Sequence, residues 1–152
     1  MLFRSALHCV RLHLWAPFKT RGRPILWILH LSYAWVAVHL ALRGLAGFGV
    51  LAPVLATHAL TIGAIGGLTL GMMTRTARGH TGRMLQAGPA EVWAYALVQA
   101  AAAVRVLVPI AVPAAYAASV AASAMLWSAA FTVFCVVYAP ILSRPRLDGR
   151  PG

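Results

Sequence analysis

Residues 58–83 read HALTIGAIGGLTLGMMTRTARGHTGR, an apolar run that opens on one histidine and closes on a basic loop holding another. Gly63, Gly67 and Gly71 recur every fourth residue, with Gly66 beside them. On a helix this spacing strips one face of side chains, so that a neighbouring helix or a flat cofactor can approach closely. The pattern suits a helix whose other faces meet hydrocarbon. The rest of the chain agrees: 61% of its 152 residues are hydrophobic, and a mean hydropathy of +0.80 is more than a soluble domain of this length can bury.

Working outward, four apolar segments meet the requirement of ~20 residues to cross ~30 Å of hydrocarbon at ~1.5 Å per residue. They cover about 25–42, 53–74, 90–112 and 114–140. Pro24 and Pro53 stand where a helix begins, at positions whose missing N–H costs nothing. The stretch GLAGFGVLA, before the second segment, reads as a turn or a shallow extension of the first helix. The expected fold is all-α, a polytopic membrane protein with four transmembrane helices. Residues 1–23 form a basic interfacial segment, 24–140 the four-helix domain, and 141–152 a polar tail.

Charge sets the expected direction. The formal charge is +11, with Glu91 and Asp148 the only acidic residues. Arginines and lysine cluster in 1–23, in the loop after the second span (Arg75, Arg78, Arg83) and in the tail (Arg144, Arg146, Arg150), whereas the other side has only Arg43. The excess of basic residues on one side predicts that both termini and the 75–88 loop are cytoplasmic, in the inner membrane. Basic residues placed between spans meet anionic lipid headgroups, so membrane lipids are the expected partners. No basic and aromatic surface pattern of a nucleic-acid module accompanies them. Cys9 and Cys135 form no CxxC or CxxCH, which excludes covalent haem attachment and a disulfide scaffold, and Cys135 reads as a small core residue. The N-terminus lacks the unbroken apolar stretch of a cleaved signal peptide.

Candidate site residues follow from depth. His39 lies near the end of the first span and His58 near the start of the second, which runs the opposite way, so the two imidazoles are expected at similar depths. Arg105 lies in the same half of the membrane in the third span, where a guanidinium is costly unless it meets an anion, a carbonyl or water. Glu91 is at the opposite end of that span. The missing anion is open among a haem propionate, a substrate and a carboxylate from other sequence. His30 faces nearly away from His39, since nine residues at ~100° each amount to ~900° of rotation.

Two readings of these histidines stay open. Neutral imidazoles bonded to a hydroxyl or carbonyl are ordinary in membranes, while His39 and His58 also suit haem or copper ligation. Met72 and Met73 near His80 suit packing or soft copper ligation. Elsewhere, Glu91 suits the third helix start and can pair with Arg83 or Arg78, Gln99 can bridge neighbours, and Tyr138 suits the interfacial belt. His8 and His13 read as solvated.

PILWILHLSYAW at 24–35, THALTIGAIGGLTLGMMTRTARGHTGR at 57–83 and YAPILSRPRLDGRPG at 138–152 resemble the NnrS family of bacterial membrane proteins. The resemblance runs from about residue 11 onward. Members are usually much longer, with about a dozen helices, so it implies that the chain matches only the C-terminal part of the family fold. It further implies a haem- and copper-containing inner-membrane protein linked to nitric oxide response, nitrosative stress and denitrification. The haem would be b-type and non-covalent. The family motifs fall on His30, His58, Arg75, His80 and Arg83. Possible partners are nitric oxide and either a second polypeptide supplying further helices or another copy of the chain. A non-catalytic packing or assembly subunit, or a truncated remnant, is the alternative, and a small transporter component a further one. No catalytic residue is assigned.

Overall fold

The computed structural model describes residues 1–149, and all of their regular secondary structure is helical. A short helix α1 (Leu2–Leu14) and a 3-10 turn at Pro17–Thr20 lead into α2 (Pro24–Gly47). Helix α3 (Pro53–His80) follows, then α4 (Pro89–Ala111), a 3-10 turn at Pro113–Ala115, and α5 (Tyr116–Leu142). Four helical stretches are long and apolar enough to cross a membrane: α2, α3, α4, and α5 with its preceding turn. The last two residues of the expected tail, and Arg150, lie outside the described residues.

Prolines set three of the starts, Pro24, Pro53 and Pro89, each in the first helical turn. At α4, Glu91 also reaches back to accept a hydrogen bond from the Gly88 N–H at 2.9 Å, satisfying one of the donors that a helix start leaves free. Pro109 is carried inside α4, and the helix stops at Ala111. The stretch after the first span extends α2 to Gly47 before turning at Gly49, which has φ +73°.

Helix α3 is central, packing on α2, α4 and α5, while α4 and α5 form a long antiparallel pair. Its middle, Ala59–Gly66, is wound as a π-helix. One core cluster joins Ile28, Leu70, Tyr95, Val98 and Tyr138, and a second joins Leu42, Ala56, Ala59 and Val106. Both are built around the small-residue face of α3. Cys135 is not in either: it is exposed on α5, contrary to its expected core position. Tyr138 departs in the opposite sense and is fully buried.

Helix α1 runs back along α2. Its Leu2 side chain lies over Gly44, Ser5 Oγ donates to the Ala37 carbonyl at 2.8 Å, and His8 Nδ1 is 2.6 Å from the Tyr33 hydroxyl. Trp15 closes the run, its ring 4.7 Å from that of Tyr33. His8 is therefore half-buried against α2 rather than solvated, and Met1 lies beside Gly44, Gly47 and Phe48. The other end of the bundle carries Pro24, the 81–88 loop and Leu142.

Candidate functional site

The end of the bundle that carries Gly47, Pro53 and Tyr116 also carries His39, His58 and Arg105. His39 of α2 reaches across to α3, where its Nδ1 lies 2.7 Å from the carbonyl oxygen of Ala56, two residues before His58. A carbonyl accepts only, so Nδ1 carries the hydrogen that it donates and Nε2 is the ring nitrogen not used in this contact. His58 is used differently. Its Nε2 accepts from Arg105 Nη2 at 2.7 Å, and the same Nη2 donates to the Tyr116 hydroxyl at 3.2 Å. The guanidinium carbon lies 4.9 Å from the Tyr116 ring centroid, a cation–π approach that partly offsets its loss of water.

Arg105 is 7% exposed, and its Nη1 is a buried polar atom with no hydrogen-bond partner among the described residues. No carboxylate among the described residues is bonded to it. Tyr116 went unnoticed in the sequence, yet it is the one polar side chain in VLVPIAVPAAYAA, residues 106–118. The turn at Pro113 folds it back onto the last turns of α4, which is the signal that could have found it.

Midway along the bundle the glycine face of α3 receives α2. A β-carbon on Gly63 would overlap the Trp35 ring, and one on Gly67 would overlap Ser32 Oγ. Gln99 of α4 bridges these α2 groups: its Oε1 accepts from Trp35 Nε1 and its Nε2 donates to Ser32 Oγ, both at 2.8 Å. The space along this face is taken up by the side chains of a neighbouring helix. His30 lies on another side of α2, its ring 6.2 Å from that of Trp15, and its buried Nδ1 has no partner among the described residues.

At the opposite end, Arg78 pairs with Glu91 through Nη2 and donates from Nε to the Tyr138 hydroxyl at 3.0 Å, while that hydroxyl donates to Glu91 at 2.9 Å. Of the two arginines open for Glu91, Arg78 is thus the one engaged. Arg83 bonds weakly to the Thr81 carbonyl at 3.5 Å, and Arg75 is half-buried. His80 is exposed, and with Met72 and Met73 it borders an apolar groove of about 640 Å³ beside Phe134 and Leu142.

The sequence pattern of one protein family, described as NnrS protein, matches residues 1–146. The chain belongs to the NnrS family. Because the match begins at Met1 and runs over nearly the whole chain, the expected restriction to the C-terminal part of the family fold is corrected. Helix α1, which the resemblance from residue 11 mostly left out, is inside the family pattern. No curated protein and no solved structure matches the chain. NnrS membership supports, in general terms, a haem- and copper-associated membrane protein of the nitric oxide response.

The donor groups fit these two cofactors unequally. No group of three or more His, Cys, Asp or Glu side chains able to hold a metal ion occurs among the described residues, so a copper centre of that kind is not assembled. Haem asks less, since one imidazole can supply one axial bond. At His39 one ring nitrogen is fixed by a backbone carbonyl, the arrangement that orients the other nitrogen in haem and metal sites. His30 has a buried ring nitrogen with no partner among the described residues.

Proposed function

We propose that this NnrS-family protein is a multi-pass component of the bacterial inner membrane, acting in the response to nitric oxide and in resistance to nitrosative stress. Non-covalent haem is held by an imidazole of its own. The observation that carries this reading is His39, whose Nδ1 is held by the Ala56 carbonyl, so that Nε2 is the ring nitrogen left for iron. His30 is the next candidate ligand and His58 the third, the latter already engaged by Arg105. Haem iron, when bound, supplies a coordination position for a diatomic gas or a relay for an electron. What the chain itself contributes is a fixed imidazole, a nearby positive charge and an apolar surround.

The end with Lys19, Arg21, Arg23, Arg75, Arg83 and Arg144 is proposed to face the cytoplasm, by the excess of basic residues in its short connections. The C-terminal segment then lies on that side, while Met1 is level with the far end of α2. A second reading, an assembly subunit without a cofactor, is favoured by the glycine face of α3, where Trp35 and Ser32 fill the space that a flat cofactor would need.

Oxidised and reduced optical spectra with metal analysis, on the detergent-purified chain, test both. The expected result is a Soret band at stoichiometric haem that shifts with nitric oxide and is lost in His39→Ala while helicity is kept. Full haem retention in His39→Ala removes His39 as ligand. A folded wild-type chain with neither haem nor copper leaves the assembly reading.

A further inference from the structure

We propose that Arg105, Tyr116 and His58 form an anion site that takes a single carboxylate, carried on an apolar body lying in the adjacent cleft. The first ground is an unmet charge. Arg105 is more than nine-tenths buried, and Nη1 has no partner among the described residues. A buried guanidinium is tolerated when it is both hydrogen-bonded and neutralised. The chain has two side-chain carboxylates. Glu91 is bonded to Arg78 and Tyr138 at the other end of α4, and Asp148 is held by Arg146 and lies against Gly82. Water can bond Nη1 but cannot neutralise it.

The geometry then sets the class of anion. His58 Nε2 accepts from Arg105, so the ring is neutral and the cluster carries one positive charge. One negative charge balances it. Nη1 keeps its hydrogens, and Tyr116, which accepts from Nη2, keeps its own O–H to donate. A planar pair of oxygens matches a guanidinium better than a spherical ion does. Tyr116 also borders a cleft of about 450 Å³, with Val50, Leu55, Pro109 and Ile110. Pro109 lies one turn beyond Arg105 on α4, and Leu55 nearly one turn before His58 on α3. That apolar lining disfavours a dianion and accepts a hydrocarbon or aromatic body. Tyr116, 42% exposed, links the two: it lines the cleft and its hydroxyl accepts from the guanidinium.

The carboxylate has two chemical sources, a free organic acid or a side chain of a bound porphyrin, and the inference does not depend on the haem reading. The test uses the full chain in detergent, with benzoate as probe and benzamide as its neutral counterpart, followed by thermal unfolding. Benzoate is expected to raise the midpoint saturably by roughly 3–6 °C, and benzamide is not. Arg105→Met should abolish the shift, Arg105→Lys should retain less than half of it, and Tyr116→Phe, at an exposed position, should weaken apparent affinity roughly tenfold. For the porphyrin source, retention of haem is compared with that of its dimethyl ester. Preferential retention of the free acid form, lost in Arg105→Met, assigns the carboxylate to the porphyrin; benzoate binding without that preference assigns it to a free acid. If neither benzoate nor the haem–ester comparison depends on the carboxylate, or if Arg105→Met responds like the wild type, the site is refuted.

Discussion

Gly63 is required for space rather than for backbone freedom. It is not one of the glycines with a positive φ, but a methyl group there would overlap the Trp35 ring. Gly63→Ala should therefore destabilise the bundle by about 1–3 kcal/mol, the usual cost of forcing atoms into a packed interior. Gly47, with nothing within 4 Å of a built β-carbon, is the control. Gly47→Ala should change stability by less than about 1 kcal/mol, and the difference is read from thermal midpoints in detergent. Equal midpoints would mean that α2 and α3 are not in contact at Trp35. The close approach was legible because a four-residue glycine spacing has few other uses in an apolar helix. The nearness of His39 to the His58 turn was legible too, since helical rise is uniform. Tyr138 and Cys135 were not: α5 is apolar on every side, so the sequence offers no polarity contrast between its packed face and its outer face.

At the scale of elements, α1 was the least readable. Arg4, His8, Arg11 and His13 interrupt its apolar residues, and that pattern resembles a helix lying at the headgroups. What decides its place is the surface it meets: Gly44 leaves room for Leu2, the Ala37 carbonyl takes the Ser5 hydroxyl, and Tyr33 takes His8. The π-wound turns of α3 were likewise invisible, since no residue type specifies them. They begin immediately after His58, and such segments recur where helices carry functional groups. The docking of α1 makes a definite prediction. Ser5→Val removes one buried hydrogen bond and keeps the apolar contact, a loss of about 0.5–1.5 kcal/mol. Amide exchange in residues 2–14 should accelerate roughly two- to tenfold by that measure, with α2 to α5 unchanged. Unaltered exchange in α1 would indicate that it does not rest on α2 through Ser5.

Across the whole molecule two buried arginine clusters lie at opposite ends of a glycine-lined seam, and the two differ in charge balance. Among the described residues Arg105 has its imidazole and phenol but no carboxylate; Arg78 has both a phenol and Glu91. The second cluster ties α3, α4 and α5 together, with the Arg78 and Glu91 side chains 18% and 5% exposed. Its role is to hold the ends of three helices, and removing one member leaves the others buried and unmet. Glu91→Leu should therefore cost about 3 kcal/mol, the lower end for a broken buried pair given the partial exposure of Arg78. Adding Arg78→Met should recover most of that loss, because the stranded charge goes with it and Tyr138 keeps only a single unpaired hydroxyl. A double-mutant cycle on denaturant or thermal midpoints measures the coupling. Additive losses would show that Arg78 and Glu91 do not support each other, and that the three helix ends are held by apolar packing alone. The contrast with Arg105→Met is the sharper check: where a charge already lacks its counter-ion, deletion in the absence of any carboxylate should leave the protein as stable or more so, whereas Arg78→Met alone should weaken it.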